Sequence, residues 1–565
     1  VARAVAPAAL LAGLAGALWA ADAWLPLFPQ ALGQRLTELF LRALLIGYLG
    51  LLIGLPALLA LAIVLVLRAR RRGRRRPFLA RVALLSASGL IALAAMELAA
   101  AAWLAWAHRM PRLPREFPAG QAPDGSVSVV VIGGSSAMGY PYDPALSIGQ
   151  IVAWELERSW PGRRVALDLR ANLGRNLEDM HNELAKLTRR PDLMIIYSGH
   201  NEFLSRFDTS RDAGHAETHQ GSTLPRLYAL SLHSPFCLWV YETVRKHRLG
   251  GPPPPVNRHR LLDVPSFTPS ELHELLVDFR RRLEAIVAYC EQVGAVPVLI
   301  IPPSNESGYE PNRTVLSLPP SPEREAALTA AFQEARERED ADPSGSIARY
   351  RALIAEEPEF AEAHFRLGRL LERAGSYYEA RSHYIAAKDL DGYPVRCRSD
   401  FVAIYHEVAA RHDCILIDAP ELLRARTPNG ILDDSLFHDA HHPTFGSHLA
   451  MAQAIVDQLR ERRALGLGAE GSVPAIDPAE CAGQFKVDAA VWAAACIKSA
   501  TYFKHLAGAR FDPTERLTKH VGFMKAGEDL RAGRIRAEES GIPGIGLAPP
   551  IPRRFDWWNA GPGSQ

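Results

Sequence analysis

Cysteine is scarce in this chain, with six residues among 565: Cys237, Cys290, Cys397, Cys414, Cys481 and Cys496. No two form a CxxC pair, so the spacing offers no thiolate framework for a metal. Excess charge of one sign is also lacking. The 64 Lys and Arg balance 62 Asp and Glu to leave +2, which gives no footprint for nucleic acid. Apolar residues make up 48% of the chain but concentrate before residue 108. The length accommodates two or three domains.

Three apolar segments precede the polar part of the chain. Val5–Ala21 is short and Ala-rich, and reads as a first span or as a cleaved signal ending in Ala-Leu-Trp-Ala-Ala21. Ala43–Leu67 has no charged residue and is long enough for a hydrocarbon core of about 30 Å. Val82–Ala107 is equally long, with Trp103 and Trp106 at its end and Glu97 inside it; a helix-packing contact is the expected role of that carboxylate. Residues 1–110 therefore read as a membrane region of two or three helices. The arginine block Arg68–Arg76 follows the second segment, and short Arg-rich loops stay cytoplasmic. The chain after His108 is then expected outside, in a periplasm or at a cell exterior. In such a place thiols oxidise, and Cys481 with Cys496 is the pair to examine.

Beyond a Pro-rich link, Pro111–Asp124, strand-like runs alternate with helical ones, the pattern of a parallel sheet covered on both faces. The expected strands are Val127–Ile132, Val165–Arg170, Leu193–Tyr197, Val296–Ile301 and Cys414–Asp418. Helices are expected at Ile148–Ser159, Leu177–Thr188 and Leu272–Val293. The rhythm is interrupted twice. Residues 202–265 hold an amphipathic piece near Leu227–Val244 and the run Gly250-Gly-Pro-Pro-Pro-Pro255, and read as a cap-like insertion. Residues 321–393 have the apolar, Gly and Ala spacing of a tetratricopeptide repeat in His364–Ala380. A weaker copy lies thirty-four residues earlier, with Tyr350 matching Tyr384. Leu367, Gly368, Ala380 and Tyr384 are helix-packing residues in that reading, and the segment is a place for a protein partner. The sheet domain thus spans 125–320 and 394–462, and a helical extension and tail occupy 463–565.

The first strand carries the strongest chemical signal. Val127-Ser-Val-Val-Val-Ile-Gly-Gly-Ser-Ser-Ala-Met-Gly139 is a β-branched run that stops at two glycines and presents Ser135 at the carboxyl end of a buried strand. A serine at such a turn is a candidate nucleophile, since neighbouring amides can hold the oxyanion its attack creates; a plain Gly/Ser turn or a phosphate loop is the alternative. Other strand ends supply partners. Arg170-Ala-Asn-Leu-Gly-Arg175 offers the Gly174 amide, and Tyr197-Ser-Gly-His-Asn-Glu202 offers the Asn201 amide. Phe437-His-Asp-Ala-His-His-Pro443 places Asp439 three residues before His442, so that a turn brings the carboxylate to the imidazole, the general-base arrangement of serine hydrolysis. Ser136 and His441 are the rivals of Ser135 and His442. His438, His441, His442 and His448 invite a zinc reading, but no carboxylate or cysteine cluster completes it. His215 and His219, four apart, lie in a polar, loop-like region. Tyr140 and Tyr142 line a pocket or pack on the insertion.

The order Gly133-Gly-Ser135, Gly174, Gly199-His-Asn201, Asp439-Ala-His-His442 resembles the four blocks of the SGNH (GDSL-type) hydrolase family, from Val127 to about Leu459 without the two insertions. The resemblance implies a flavodoxin-like, three-layer α/β/α fold and esterase or deacetylase activity without a metal or cofactor. Ser135 would be nucleophile, His442 general base and Asp439 its orienting group. The Ser135 amide, Gly174 and Asn201 would form the oxyanion hole. Gly134 stands where the family's first block usually carries an acidic residue, a variant that still resembles some of its members. The expected partner is an acyl-ester substrate, an acetylated glycan or a lipid; acyl transfer to a glycan hydroxyl and a non-catalytic scaffold are the alternatives.

Overall fold

The computed structural model describes residues 30–72, 77–107, 109–117, 126–160, 162–204, 227, 230, 231, 233–244, 260–263, 267, 269–316, 320–467 and 475–547. The chain divides into two units, Val1–Arg109 with Asp208–Pro254, and Met110–Phe207 with Pro255–Gln565. Val5–Ala21, His215, His219 and the terminal tail lie outside the described residues.

In the first unit, Gln30–Arg71 and Pro77–Ala107 are helices. Within them Ala43–Arg71 and Pro77–Trp106, of 29 and 30 residues, are long and apolar enough to cross a membrane. At 1.5 Å per residue each exceeds a core of about 30 Å. Many of their leucines and isoleucines face outward, with Leu85 69% and Ile91 72% exposed, as suits a helix surrounded by an apolar medium. Pro235–Val244 is a helix within the amphipathic stretch expected near Leu227–Val244, and it begins with proline, which fits a helix's first turn. Its Phe236, Cys237, Val240 and Tyr241 pack against Leu41, Leu45, Tyr48 and Leu93. Glu97 accepts hydrogen bonds from Ser234 Oγ (2.6 Å) and the Phe236 amide (3.2 Å) at the start of that helix. The Glu97 carboxylate thus has a helix-packing contact.

The second unit is built on a five-stranded parallel sheet. In chain order its strands are β1 (Val127–Gly133), β2 (Val165–Ala171), β3 (Leu193–Tyr197), β4 (Val296–Ile301) and β5 (Ile415–Asp418), arranged β2-β1-β3-β4-β5. Alternate side chains of β1 enter different cores. Val127, Val129 and Val131 join Ile148, Ile151 and Leu156 of helix Ile148–Ser159 and Ile455 and Leu459 of helix Phe445–Glu461. Val130 and Ile132 join Met180, Leu283 and Phe401 from helices Leu177–Leu184, Pro269–Val293 and Ser399–Ala409. Helices cover both faces, so β1 is buried throughout, which explains its unbroken β-branched run. The expected Leu177–Thr188 helix ends at Leu184. The register pairs Gly133 with Ala171 and with Tyr197, so β1, β2 and β3 release their loops at one level.

Residues 322–389 form four helices, Pro322–Glu337, Pro343–Glu356, Ala361–Arg373 and Tyr377–Asp389. Phe332, Tyr350, Phe360, Phe365, Leu367, Ala380 and Tyr384 form their core. A Cβ at Gly368 would come within 3.0 Å of the Tyr384 ring. Two more helices, Ala489–Ala507 and Thr514–Arg531, pack on one another. Buried ion pairs join this C-terminal part to the four helices: Arg510 Nη1 lies 3.1 Å from Glu362 Oε2, and Arg369 Nη1 donates to Glu515 Oε2 at 2.9 Å. Cys481 and Cys496, the pair singled out for examination, are not joined. All six thiols are free and buried, each on an apolar surface that suits an unoxidised cysteine.

Candidate functional site

The sharp exit from β1 depends on glycine. A Cβ at Gly133 would fall 2.1 Å from the Ala137 Cβ and 2.8 Å from the Tyr197 carbonyl. Gly139 has φ +98°, and a Cβ there would strike the Leu146 carbonyl at 1.8 Å. Between these points the four-residue helix Ser135–Met138 begins with the serine, whose N–H has no carbonyl of its own helix to bond.

The Asp439 side comes from the loop before helix Phe445–Glu461. Its carboxylate accepts the His441 and His442 amides, both at 3.1 Å, and faces His442 Nδ1 at 2.7 and 2.9 Å. The turn expected from the three-residue spacing is made by those two amides. His442 Nε2 then lies 2.7 Å from Ser135 Oγ, a contact across 307 positions of sequence. With Nδ1–H donated to Asp439, Nε2 keeps its lone pair toward the hydroxyl. Burial alone would raise the Asp439 carboxyl, but the charge and hydrogen bond of His442 and the loop amides hold it down at about 2. Asn305 secures the loop, donating from its amide to Ala440 O (2.9 Å) and from Nδ2 to Asp439 O (3.1 Å).

Gly174 and Asn201 meet the β1 exit from the two neighbouring strands. The Asn172 amide donates to the Gly133 carbonyl at 3.3 Å, and Gly174, at φ +69°, completes that turn. Asn201 Nδ2 donates to the Arg175 carbonyl at 3.0 Å. A Cβ on Gly134 would lie 2.5 Å from that same Nδ2. Glycine at 134 therefore leaves room for the Asn201 amide.

The rivals are placed elsewhere. Ser136 Oγ donates to the His441 carbonyl at 3.3 Å. His441 stacks on His200, with ring centroids 4.4 Å apart. Burial first, then the nearby His442 and Arg396 charges, pushes its imidazole down to about 3. His438 contacts the Tyr142 hydroxyl, and burial pushes it down to about 4. His448 is fully buried and pushed down to about 3, again mainly by burial. Among the described residues no three His, Cys, Asp or Glu side chains are grouped to hold a metal ion. Of the two tyrosines, Tyr142 is internal, accepting the Phe445 amide at 2.9 Å. Tyr140 lies against His442, ring centroids 4.4 Å apart, and donates to the Lys498 carbonyl at 2.9 Å.

Sequence reasoning passed over several neighbours of the site. Helix Ala489–Ala507 supplies Lys498, whose Nζ donates to Asp143 Oδ1 at 2.7 Å, and Tyr502, edge-on to His442 at 5.5 Å. Their i, i+4 spacing marks one helix face, but nothing local says what that face meets. Arg396, just after the four-helix segment, is buried nearby and donates from Nη1 to the Asn305 and Tyr309 carbonyls.

No protein-family model, curated protein or solved structure matches the chain. The chemistry rests on the geometry itself: a hydroxyl bonded to an imidazole that a buried carboxylate orients.

Proposed function

We propose that the chain is a membrane-anchored serine ester hydrolase of the SGNH type, acting outside the cytoplasm. The observation that carries this is the continuous bonding from Ser135 Oγ through His442 to Asp439, at 2.7 Å on each side of the imidazole. In this reading Ser135 attacks the acyl carbonyl while His442 takes its proton. The Ser135 and Gly174 amides and the Asn201 side chain face the oxyanion. His442 returns the proton to the departing alcohol and then activates the water that releases the acyl group.

The strand order 2-1-3-4-5 within the sheet is that of flavodoxin-like folds, whose sites lie beyond the carboxyl ends of the strands. It supports the three-layer SGNH architecture. A repeated contact supports tetratricopeptide character in residues 321–393. Tyr350 donates to Glu339 at 2.6 Å, and Tyr384, thirty-four residues on, donates to Glu372 at 2.8 Å. Those helices are the proposed seat of a protein partner. The arginine block Arg68–Arg76 supports a cytoplasmic loop between the apolar helices, leaving the site on the outer side.

The test is hydrolysis of p-nitrophenyl acetate by the full-length protein in detergent. Ser135→Ala and His442→Ala are each expected to lower kcat by about 10⁴-fold or more. An unchanged rate in Ser135→Ala would reject the proposal. Product analysis with an acetyl donor and a glycan separates hydrolysis from transfer to a sugar hydroxyl.

A further inference from the structure

Beside the Ser135–His442–Asp439 chain lie polar atoms, shielded from solvent, that find no hydrogen-bond partner among the described residues. Among them are Nε2 of His200, Nδ1 of His441, Oη of Tyr502, and both Nε and Nη2 of Arg396. The groups are contiguous. His441 stands 4.4 Å from His200 and 4.2 Å from His442, and Tyr502 is edge-on to His441 at 5.9 Å. Tyr309 lies 6.5 Å from Tyr502 and carries the Arg396 guanidinium 5.3 Å over its ring. A buried donor or acceptor left dry destabilises the fold, so a cluster of them calls for something that completes it.

Arg396 says what that something is. It is 2% exposed, as deeply buried as Arg510, Arg516 and Lys519. Those three each have a carboxylate: Glu362 at 3.1 Å, Glu310 at 3.5 Å and Asp434 at 3.0 Å. Arg396 has none in direct contact among the described residues. Asp391 acts on it only at a distance and is itself held by the Asn312, Arg313 and Tyr393 amides. The Arg396 Nη1 is fully used by the Asn305 and Tyr309 carbonyls, at 2.9 and 2.8 Å. What remains is the Nε–Nη2 edge, the pair of parallel N–H groups that matches the two oxygens of a carboxylate. A lone hydroxyl or water would satisfy one of these donors and leave the other dry.

We propose that Arg396, with the Tyr502 hydroxyl as a second donor, binds a carboxylate carried by the substrate. The ester cleaved at Ser135 then belongs to an acidic molecule, such as an O-acylated uronic acid. Tyr140 and Tyr502, both partly exposed, form the rim by which it reaches the serine. This rests on the hydrolase reading above for its chemistry, but the carboxylate site stands on its own geometry.

The experiment measures binding rather than turnover, so the two readings fail separately. Glucuronic acid and glucose, which differ in a carboxylate against a hydroxymethyl group, are titrated calorimetrically into the full-length Ser135→Ala protein in detergent. Glucuronic acid is expected to bind at least about 10-fold more tightly, the value of a charge-assisted bidentate contact. Arg396→Gln removes that preference and Arg396→Lys restores part of it. Tyr502→Phe, which disturbs no bond within the described chain, weakens glucuronic acid several-fold and leaves glucose unchanged. Equal binding of the two sugars, binding of neither, or a preference that survives both Arg396→Gln and Tyr502→Phe overturns the proposal. A selective site in a protein that cleaves no ester would keep the carboxylate site and sink the hydrolase.

Discussion

Replacing Asp439 by asparagine isolates the orientation of His442 from the shape of the site. The amide is isosteric, and its oxygen can still accept the His441 and His442 amides that the carboxylate accepts at 3.1 Å. Its nitrogen then faces His442 Nδ1, where carboxylate oxygen now lies at 2.7 Å. Two N–H groups cannot share that contact, so Nδ1 becomes the acceptor and the ring proton moves to Nε2. That proton faces Ser135 Oγ, and the imidazole can no longer receive the hydroxyl's proton. The same exchange in a serine protease triad lowers kcat by about 10⁴-fold, or about 5 kcal/mol of barrier; the same bonding is expected to give the same order here. Stability moves far less. The Asp439 carboxyl titrates at about 2 in the fold against an ordinary 3.8. A depressed carboxylate stabilises the fold above its unfolded value and loses that contribution as pH falls toward its folded value. The contribution is about 2 kcal/mol near neutral pH. Acid unfolding of the wild type should therefore steepen between about pH 4 and 2, and the asparagine variant should lack that component. Initial rates with p-nitrophenyl acetate, beside a circular dichroism titration with acid, measure both. A variant within about tenfold of wild-type kcat would refute the assigned role of Asp439.

Three further changes probe other parts of the account. Asn201→Ala is expected to lower kcat by about 10²–10³-fold with Tm little altered, read by initial rates and thermal denaturation; full activity would remove Asn201 from the oxyanion site. Gly134→Ala places a methyl 2.5 Å from Asn201 Nδ2 and should displace that amide, reproducing much of the Asn201→Ala loss in kcat while the protein remains folded. Arg510→Ala removes the hydrogen-bonded partner of buried Glu362, leaving it Arg366 at 3.6 Å while Glu310 keeps Arg516 at 3.5 Å, and should cost about 3 kcal/mol, measured by urea unfolding of the full-length protein in detergent.

Much of the sheet was legible because each strand carries its own signal. The β1 run Val127–Ile132 is mostly β-branched, and its end is fixed by glycines whose absent Cβ atoms are sterically required. Asp439 and His442 were readable for a similar reason: three residues and two backbone amides make the turn locally. The surroundings of the site were not readable. Tyr502 and Lys498 lie on a helix whose hydrophobic pattern announces only that it is buried. Which residues they face depends on how the C-terminal helices dock, a contact 355 positions long for Lys498 and Asp143. Arg396 gave no signal at all, since a lone arginine after a helical segment is ordinarily solvated. Only the structure shows it buried without a carboxylate in contact among the described residues. Whether Cys481 and Cys496 meet was not legible, because their spacing does not say whether two thiols come together. Both sit on apolar surfaces of the core.

The most direct measurement is chemical. Membranes holding the full-length protein are treated with a serine-directed fluorophosphonate, and the modified peptide is mapped. The account predicts a single adduct at Ser135, formed at a rate that His442→Ala lowers by orders of magnitude. Modification at Ser136, or no adduct on a folded protein, would contradict it.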